Sequence, residues 1–262
     1  MHKIILRGYY SFIGKNCAYL LKNKYKIEKL SKNKKIKNSK NNFFFHLSAV
    51  TSIPKSFENP EHTIVTNIKL LIESLEFCRK NKVKFIFFST AYQQDKKKFT
   101  NAYAFSKNVC ENICKYYSIE FKMDICIIRL TNIYGKYQKR QLIFDMIQKL
   151  KNKKKVEVIN HDLSRDFLYV KDLISALEKI INHFPKSFNI YNISQNKNSK
   201  IIDIILMIKK AINSNSIIIK KDNINLQSTF KNVKINNYNF RKKFKWKPRF
   251  TLKEGIKDLI SK

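Results

Sequence analysis

Short apolar runs alternate with stretches whose apolar positions recur at helical spacing through the first half of the chain. The runs predict five strands, at residues 3–7, 25–30, 43–48, 83–88 and 124–130. The periodic stretches predict three helices, at residues 13–22, 62–80 and 101–118. Strands that alternate with helices indicate a parallel sheet with helices on both faces. The sequence therefore predicts an α/β fold with a doubly wound parallel sheet.

The second half of the chain has a less regular pattern. It predicts an amphipathic helix, a short strand and two further helices, at residues 142–147, 156–159, 170–183 and 201–213. The polar residues 214–237 give no motif. The length of 262 residues fits one large domain and a smaller lobe. We predict the domain at residues 1–135, with residues 165–195 returning to it, and the lobe mainly at 136–262.

Two of the 4 glycines, Gly8 and Gly14, follow the first predicted strand. A turn there leads into a helix, and the free N–H groups and positive dipole end of a helix N-terminus favour a pyrophosphate. Ser11 stands where the dinucleotide-binding fingerprint has a further glycine. By itself, this turn fits equally well a strand-to-helix connection in another kind of α/β domain.

Tyr103 and Lys107 lie four residues apart on a predicted helix and share one face. An ammonium group near a phenol favours the phenolate, so this tyrosine is a candidate general acid or base. The preceding strand ends in Ser89 and Thr90, whose hydroxyls would face the ligand crevice of an open sheet. The alternative is a solvated helical pair in a chain with 13 Tyr and 54 Lys plus Arg.

Further motifs follow in a fixed order along almost the whole chain. They are His46-Leu47-Ser48-Ala49, Asn67 opening a helix, RLTNIYG at 129–135, RDFLYVKD at 165–172, YNI at 191–193 and WKP at 246–248. With these motifs the sequence resembles the extended short-chain dehydrogenase/reductase family, specifically its nucleotide-sugar epimerases and dehydratases. The resemblance implies a Rossmann-like domain and a small C-terminal substrate-binding lobe.

The resemblance also assigns roles to individual residues. Thr90 would hydrogen-bond the sugar oxygen, Tyr103 would be the acid/base, and Lys107 would lower the pKa of Tyr103 and hold the nicotinamide ribose. Asn132 and Arg165 would contact the sugar nucleotide, Arg165 at its diphosphate. The remaining predicted cofactor contacts are Gly8, Ser11, Phe12, Ile13, Gly14, Leu47, Ser48, Ala49, Asn67 and Ser89. Without the resemblance, Asn132 would be read as a turn residue and Arg165 as half of a local salt bridge.

The two residues after Thr90 bear on which reaction the protein catalyses. Relatives that eliminate water usually carry an acidic pair there, whereas this chain has Ala91-Tyr92. This difference argues against a 4,6-dehydratase and leaves an epimerase or a keto-sugar reductase. The alternative is a degenerate, non-catalytic relative that binds a nucleotide, RNA or a protein partner.

The cofactor is predicted to be NAD or NADP. Relatives that prefer NAD carry an acidic residue after the second strand, where this chain has Ser31 and Lys32. A serine and a cation suit a 2′-phosphate, which favours NADP, although Lys32 also fits an ordinary exposed lysine. Only eleven residues, 32–42, connect this strand to the next, where relatives have a helix, a strand and another helix. Eleven extended residues reach about 36 Å, enough for a direct crossover, so we predict a sheet that lacks one edge strand.

The net charge of +35 raises the question of nucleic-acid binding. The excess is spread over the whole chain and its lysine runs lack an aromatic platform, so we predict no nucleic-acid partner. The positive field would instead steer an anionic sugar nucleotide toward the protein.

The five cysteines show no metal-type spacing, and no metal site is predicted. The sequence has no apolar run of about 18 residues and no signal-peptide pattern, which predicts a cytoplasmic protein without a membrane partner. The resemblance implies a homodimer formed through the helices at 62–80 and 101–118.

Overall fold

The computed structural model describes residues 2–30, 42–91, 101–221 and 235–261. Its largest element is a six-stranded sheet. The strands are β1 (Lys3–Arg7), β2 (Lys26–Lys29), β3 (Asn42–His46), β4 (Lys84–Thr90), β5 (Ile125–Leu130) and β9 (Phe188–Ile193). They lie in the order β2-β1-β3-β4-β5-β9, and all neighbouring pairs are parallel. The predicted doubly wound α/β fold is confirmed.

Helices cover both faces of this sheet. They are α1 (Phe12–Leu21), α3 (Pro60–Asn81), α4 (Ala102–Glu120) and α6 (Val170–Asn182). Ile4 and Leu6 of β1 pack in one apolar cluster with residues of α1 and α6. Ile5, between them, packs in a second cluster with residues of α3 and α4. This alternation follows from the two-residue period of a strand, and it explains why buried central strands such as β4 are apolar on both faces.

The chain crosses over β1 between its second and third strands. β1 pairs with β2 on one side and with β3 on the other. This order takes the chain from one side of β1 to the other, and in the described ranges no strand lies beyond β2. Residues 31–41 of the connection, which include Ser31 and Lys32, lie outside the described residues.

The remaining strands form two small sheets. A three-stranded sheet contains β6 (Asn132–Tyr134), β8 (Ser164–Tyr169) and β10 (Asn198–Lys200). A two-stranded parallel sheet contains β7 (Lys155–Ile159) and β11 (Ile217–Lys221). β11 falls in the polar stretch 214–237, in which no motif is recognised. Its isoleucines pair with the alternating residues of β7, a long-range contact that local polarity does not indicate.

Five further helices complete the described structure: α2 (Ile53–Glu58), α5 (Leu142–Asn152), α7 (Ile201–Ala211), α8 (Tyr238–Phe244) and α9 (Leu252–Ile260). The segment between α8 and α9 is joined to α6 by polar contacts. The buried Asp172 accepts hydrogen bonds from the backbone N–H groups of Arg249 (2.8 Å) and Phe250 (3.1 Å). The Trp246 indole donates to the Ser175 hydroxyl at 2.9 Å. Among the described helices, none is long and apolar enough to span a bilayer.

Candidate active site

The turn after β1 depends on both of its glycines. Gly8 has a φ of +98°, in the region that favours glycine. A Cβ on Gly14 would lie 2.2 Å from the carbonyl oxygen of Gly8, because the first turn of α1 packs directly on the preceding loop. These two residues therefore set the close approach of strand, loop and helix at the predicted pyrophosphate position.

Ser11 is the N-cap of α1. Its hydroxyl accepts a hydrogen bond from the Gly14 N–H (3.1 Å) and donates to the Gly8 carbonyl (2.7 Å). Its φ of −66° is open to any residue, so this position does not require glycine. The N–H groups of Phe12 and Ile13 lie in the first helical turn, where the helix offers them no partner. This turn fits a dinucleotide pyrophosphate despite the serine.

The loop after β3 lies against the glycine turn. A Cβ on Gly8 would approach Leu47 to 3.0 Å, and the Leu47 N–H donates to the Arg7 carbonyl at 2.8 Å. Leu47, Ser48 and Ala49 thus stand beside the turn, as expected for the wall of a cofactor groove.

Asn67 does not open a helix, as the sequence suggested, but lies within α3. Its amide group is buried and bonds both backbone groups of Val50, at 2.7 and 3.2 Å. It also donates to the Ser106 hydroxyl at 2.9 Å. These contacts place Asn67 between the loop after β3 and α4, where it positions the groove.

The predicted catalytic residues lie at the end of β4 and the start of α4. Asn101 caps α4 by accepting from the Ala104 N–H at 2.8 Å, which fixes the first turn that carries Tyr103. The ammonium of Lys107 is buried and donates to the Phe88 carbonyl at 2.7 Å. Phe88 precedes Ser89 and Thr90 on β4, so this bond ties the catalytic helix to the strand end. The buried Ser89 Oγ has no hydrogen-bond partner in the described residues.

The pKa of Tyr103 and that of Lys107 are both shifted by burial. Burial raises the pKa of Tyr103 to about 12, so its phenol is protonated at neutral pH. Burial also lowers the pKa of Lys107 to about 8. The lowered pKa expected for Tyr103 is therefore wrong for this structure, because burial of the phenol raises the pKa while the Lys107 ammonium faces the Phe88 carbonyl.

Asn132 and Arg165 lie on adjacent strands of the small sheet. The Asn132 amide donates to the backbone carbonyl of Asp166 at 2.9 Å, and Arg165 precedes that residue. The Asp166 carboxylate accepts from the Thr131 hydroxyl (2.9 Å) and from the backbone N–H groups of Gln195 (2.9 Å) and Lys197 (3.1 Å). Buried in this way, Asp166 organises the loops around Arg165.

A contact at the end of β2 was missed by sequence reasoning. The Lys29 ammonium lies 4.3 Å from the centroid of the Tyr10 ring and 3.2 Å from its hydroxyl. Tyr10 belongs to the glycine turn and is 67% exposed. The sequence does show a lysine near the end of the second predicted strand. Its pattern could not show that the side chain of this lysine lies against Tyr10.

Within the described residues no group of three or more His, Cys, Asp or Glu side chains could hold a metal ion. The parallel sheet, the glycine turn after β1 and the hydroxyls at the end of β4 define a Rossmann-like dinucleotide-binding protein. The chain belongs to the NAD-dependent epimerase/dehydratase family, whose model matches residues 23–194. This family uses NAD or NADP, and the predicted family and cofactor class are confirmed.

The relatives of this chain belong to several reaction classes. A GDP-6-deoxy-D-mannose reductase of Pseudomonas aeruginosa is 23% identical over 238 residues, which cover 82% of this chain and 78% of the relative. An uncharacterised UDP-glucose epimerase of Bacillus subtilis is 26% identical over 179 residues, covering 63% of this chain and 57% of the relative. The homologues are thus enzymes that include epimerases, dehydratases and reductases.

Solved structures share the fold over nearly the full chain. RMD from Pseudomonas aeruginosa, complexed with NADPH, has a TM-score of 0.84 at 19% identity and covers 100% of this chain and 98% of its own. A UDP-glucose 4-epimerase of Thermotoga maritima, with UDP-glucose, has a TM-score of 0.84 at 20% identity, covering 99% and 97%. At these identities the comparison establishes the fold.

Proposed function

We propose that this protein is an NADP-dependent reductase that acts on a keto sugar linked to a nucleotide. The observation that carries the proposal is the anchoring of Lys107 to the Phe88 carbonyl, which brings the helix of Tyr103 to the strand end that carries Thr90. A nucleotide-sugar reductase is also among the relatives that cover most of the chain.

A protonated phenol is the form of Tyr103 that reduction requires. When bound, NADP in its reduced form supplies the hydride. A phenol with a pKa of about 12 holds its proton at neutral pH and can donate it to the sugar oxygen as negative charge develops there. The Thr90 hydroxyl would donate a hydrogen bond to the same oxygen, and Asn132 and Arg165 would hold the nucleotide part.

Epimerisation is the second candidate. Ala91 follows Thr90 where a dehydratase would carry an acidic residue, which leaves epimerisation open alongside reduction, and epimerases are among the relatives. An epimerase must first remove the proton of a sugar hydroxyl.

The preference for NADP is supported by Lys29. This exposed cation lies beside the ring of Tyr10 at the end of β2, near the edge of the glycine turn. An ammonium there suits the 2′-phosphate of NADP, and the exposed ring offers a face to adenine. Ser31 and Lys32, which the sequence suggested for the same role, remain a proposal.

A homodimer through α3 and α4 also remains a proposal. Both helices carry large apolar side chains that are exposed: Val65 (55%), Ile72 (38%), Tyr116 (57%) and Ile119 (61%). Exposed apolar residues on two neighbouring helices are typical of an interface with a second chain.

A reductase assay with several nucleotide-linked keto sugars tests the function. We expect the absorbance of NADPH to fall with at least one substrate, and more slowly when NADH replaces it. Lys29→Ala should narrow that difference between the two cofactors. Conversion of a nucleotide sugar to its epimer without net oxidation of cofactor would instead establish the second candidate. Binding without turnover of either kind would indicate a non-catalytic relative.

A further inference from the structure

A cavity of about 280 Å³ lies outside the active-site crevice, between α1, α5, α6 and α9. The loop of residues 135–138 closes one of its sides. None of the residues assigned above to the cofactor, the sugar nucleotide or proton transfer lines it. The cavity therefore needs an explanation separate from the proposed reaction.

Its floor is apolar and its mouth is aromatic. Leu20 of α1 and Phe144 of α5 contribute apolar lining. Tyr19 and Tyr137 stand at the mouth with their ring centroids 6.3 Å apart in an edge-to-face arrangement. The two tyrosines are 49% and 37% exposed. Exposed rings above an apolar floor offer a stacking surface for a flat aromatic group.

The charged groups in the lining make the cavity positive. Lys136 lies 5.4 Å from the centroids of both tyrosine rings, and Lys151 lines the opposite wall on α5. Across the described part of the chain, neither lysine forms an ion pair. Asp258 is the one carboxylate in the described lining, and it already accepts from the Tyr169 hydroxyl and pairs with Lys171 at 2.8 Å. The two lysines are thus available to an anion.

The loop that carries Tyr137 and Lys136 is fixed in place. Tyr137 has a φ of +70°, which a tyrosine rarely adopts. The buried Asn16 of α1 donates from its amide to the Lys136 carbonyl at 2.7 Å. This bond between α1 and the loop holds both tyrosines on the same side of the cavity, so the aromatic mouth is formed before any ligand arrives.

We propose that this cavity is a second nucleotide site, which takes a nucleoside monophosphate. The base would stack on one of the two tyrosine rings, Tyr19 or Tyr137, above Leu20 and Phe144. The phosphate would meet Lys136 and Lys151. Ligand pockets for larger organic molecules span about 300–1,000 Å³. A cavity of about 280 Å³ fits a mononucleotide better than a dinucleotide cofactor.

Calorimetric titration with AMP and UMP, on protein that is saturated with NADP, tests the proposal. The cavity variant is Lys136→Glu with Lys151→Glu. The matched control is Lys139→Glu with Lys149→Glu, which makes the same charge change on the same loop and helix away from the cavity. We expect a mononucleotide site besides any binding at Asn132 and Arg165. Its affinity should fall about tenfold or more in the cavity variant and stay within about twofold in the control.

Photolabelling with azidoadenosine monophosphate gives an independent readout. We expect the label on peptides that contain Tyr19 or Tyr137, with or without NADP. Equal losses of affinity in the two double variants, label confined to the glycine turn, or no mononucleotide binding would each overturn the proposal. Binding of a short oligoribonucleotide but not of AMP or UMP would overturn it in favour of RNA. Because none of these readouts depends on turnover, they stand apart from the reductase assay.

Discussion

The guanidinium of Arg129 on β5 donates three hydrogen bonds, of 2.6, 3.0 and 3.2 Å, to the carboxylate of Glu111 on α4. Glu111 is 5% exposed and lies one helical turn after Lys107. Arg129 stands three residues before Asn132. A single ion pair therefore joins the helix of the proposed acid/base to the strand that leads to the substrate residues.

Breaking this pair should destabilise the protein. Glu111→Gln leaves a largely buried guanidinium without its charge partner, and we expect the free energy of unfolding to fall by about 3 kcal/mol. The control is Glu76→Gln, which breaks the exposed pair with Arg79 and should cost less than about 0.5 kcal/mol. Urea denaturation measures both. Equal losses would show that the buried pair has no special role.

Gly14→Ala should disrupt the turn after β1. The new methyl group would meet the Gly8 carbonyl at 2.2 Å, so either the loop or α1 must move. We expect lower stability and loss of dinucleotide affinity by calorimetry. Ser11→Gly is the control, because this N-cap change costs only a few tenths of a kcal/mol and leaves the helix N–H groups in place. Normal NADP binding by the alanine variant would contradict the assigned pyrophosphate position.

Tyr103→Phe should abolish the reaction while keeping the cofactor. Removing the phenolic proton donor is expected to lower kcat by about 10²- to 10⁴-fold. The affinity for NADP should stay within about twofold, since the ring is retained. Tyr116→Phe, on an exposed part of the same helix, is the matched control and should leave both quantities unchanged. Turnover retained in the Tyr103 variant would refute the acid/base assignment.

The buried Lys107 should make stability depend on pH. Its pKa falls from 10.5 to about 8 on folding, so the unfolded chain holds more protons between these values and stability rises with pH across that window. Below about pH 8, Lys107 is protonated in both the folded and the unfolded protein, and the full cost of burying its charge lowers the stability. Relative to Lys107→Met, we expect the wild type to gain about 2–3 kcal/mol between pH 7.5 and pH 10.5. Urea titrations measure the free energy of unfolding of both proteins at each pH. If the difference between them stays constant from pH 7.5 to pH 10.5, the prediction is wrong.

Val65→Glu tests the proposed dimer. A charge on the exposed apolar surface of α3 would have to be desolvated in an interface, so we expect the population to shift toward monomer in sedimentation experiments. Val65→Ala should have a much smaller effect. Leu206→Glu places the same charge on α7, at a comparably exposed apolar side chain, and should not alter the oligomeric state. If the wild type sediments as a monomer at all concentrations, the proposed dimer is wrong.

Local patterns were sufficient for most of the main sheet. The apolar run from Val83 predicted β4, and the structure extends the strand to Thr90, so the hydroxyls remain at its end. The α3 and α4 bounds differ from the prediction by at most two residues at either end. These elements are long and buried on a defined face, which is the situation in which periodicity is most informative.

Long-range contacts account for what the sequence could not predict. The pKa of Tyr103 depends on how deeply the first turn of α4 is packed, and the position of Asn67 depends on the loop at Val50. β11 exists because β7 supplies its partner, and the contact between Lys29 and Tyr10 joins two elements of different type. The spacing of residues along the chain does not show which residues of different elements meet in these contacts.

The position of β2 at the margin of the described sheet has a consequence for solubility. The strand has only four residues, and Lys26 and Lys29 are exposed on it, while Glu28 points inward and pairs with Lys3 at 3.2 Å. Short strands that carry lysines and an inward charge are poor templates for strands of other molecules. In a chain with this much apolar β structure, the charges of β2 oppose edge-to-edge aggregation at this margin of the described sheet.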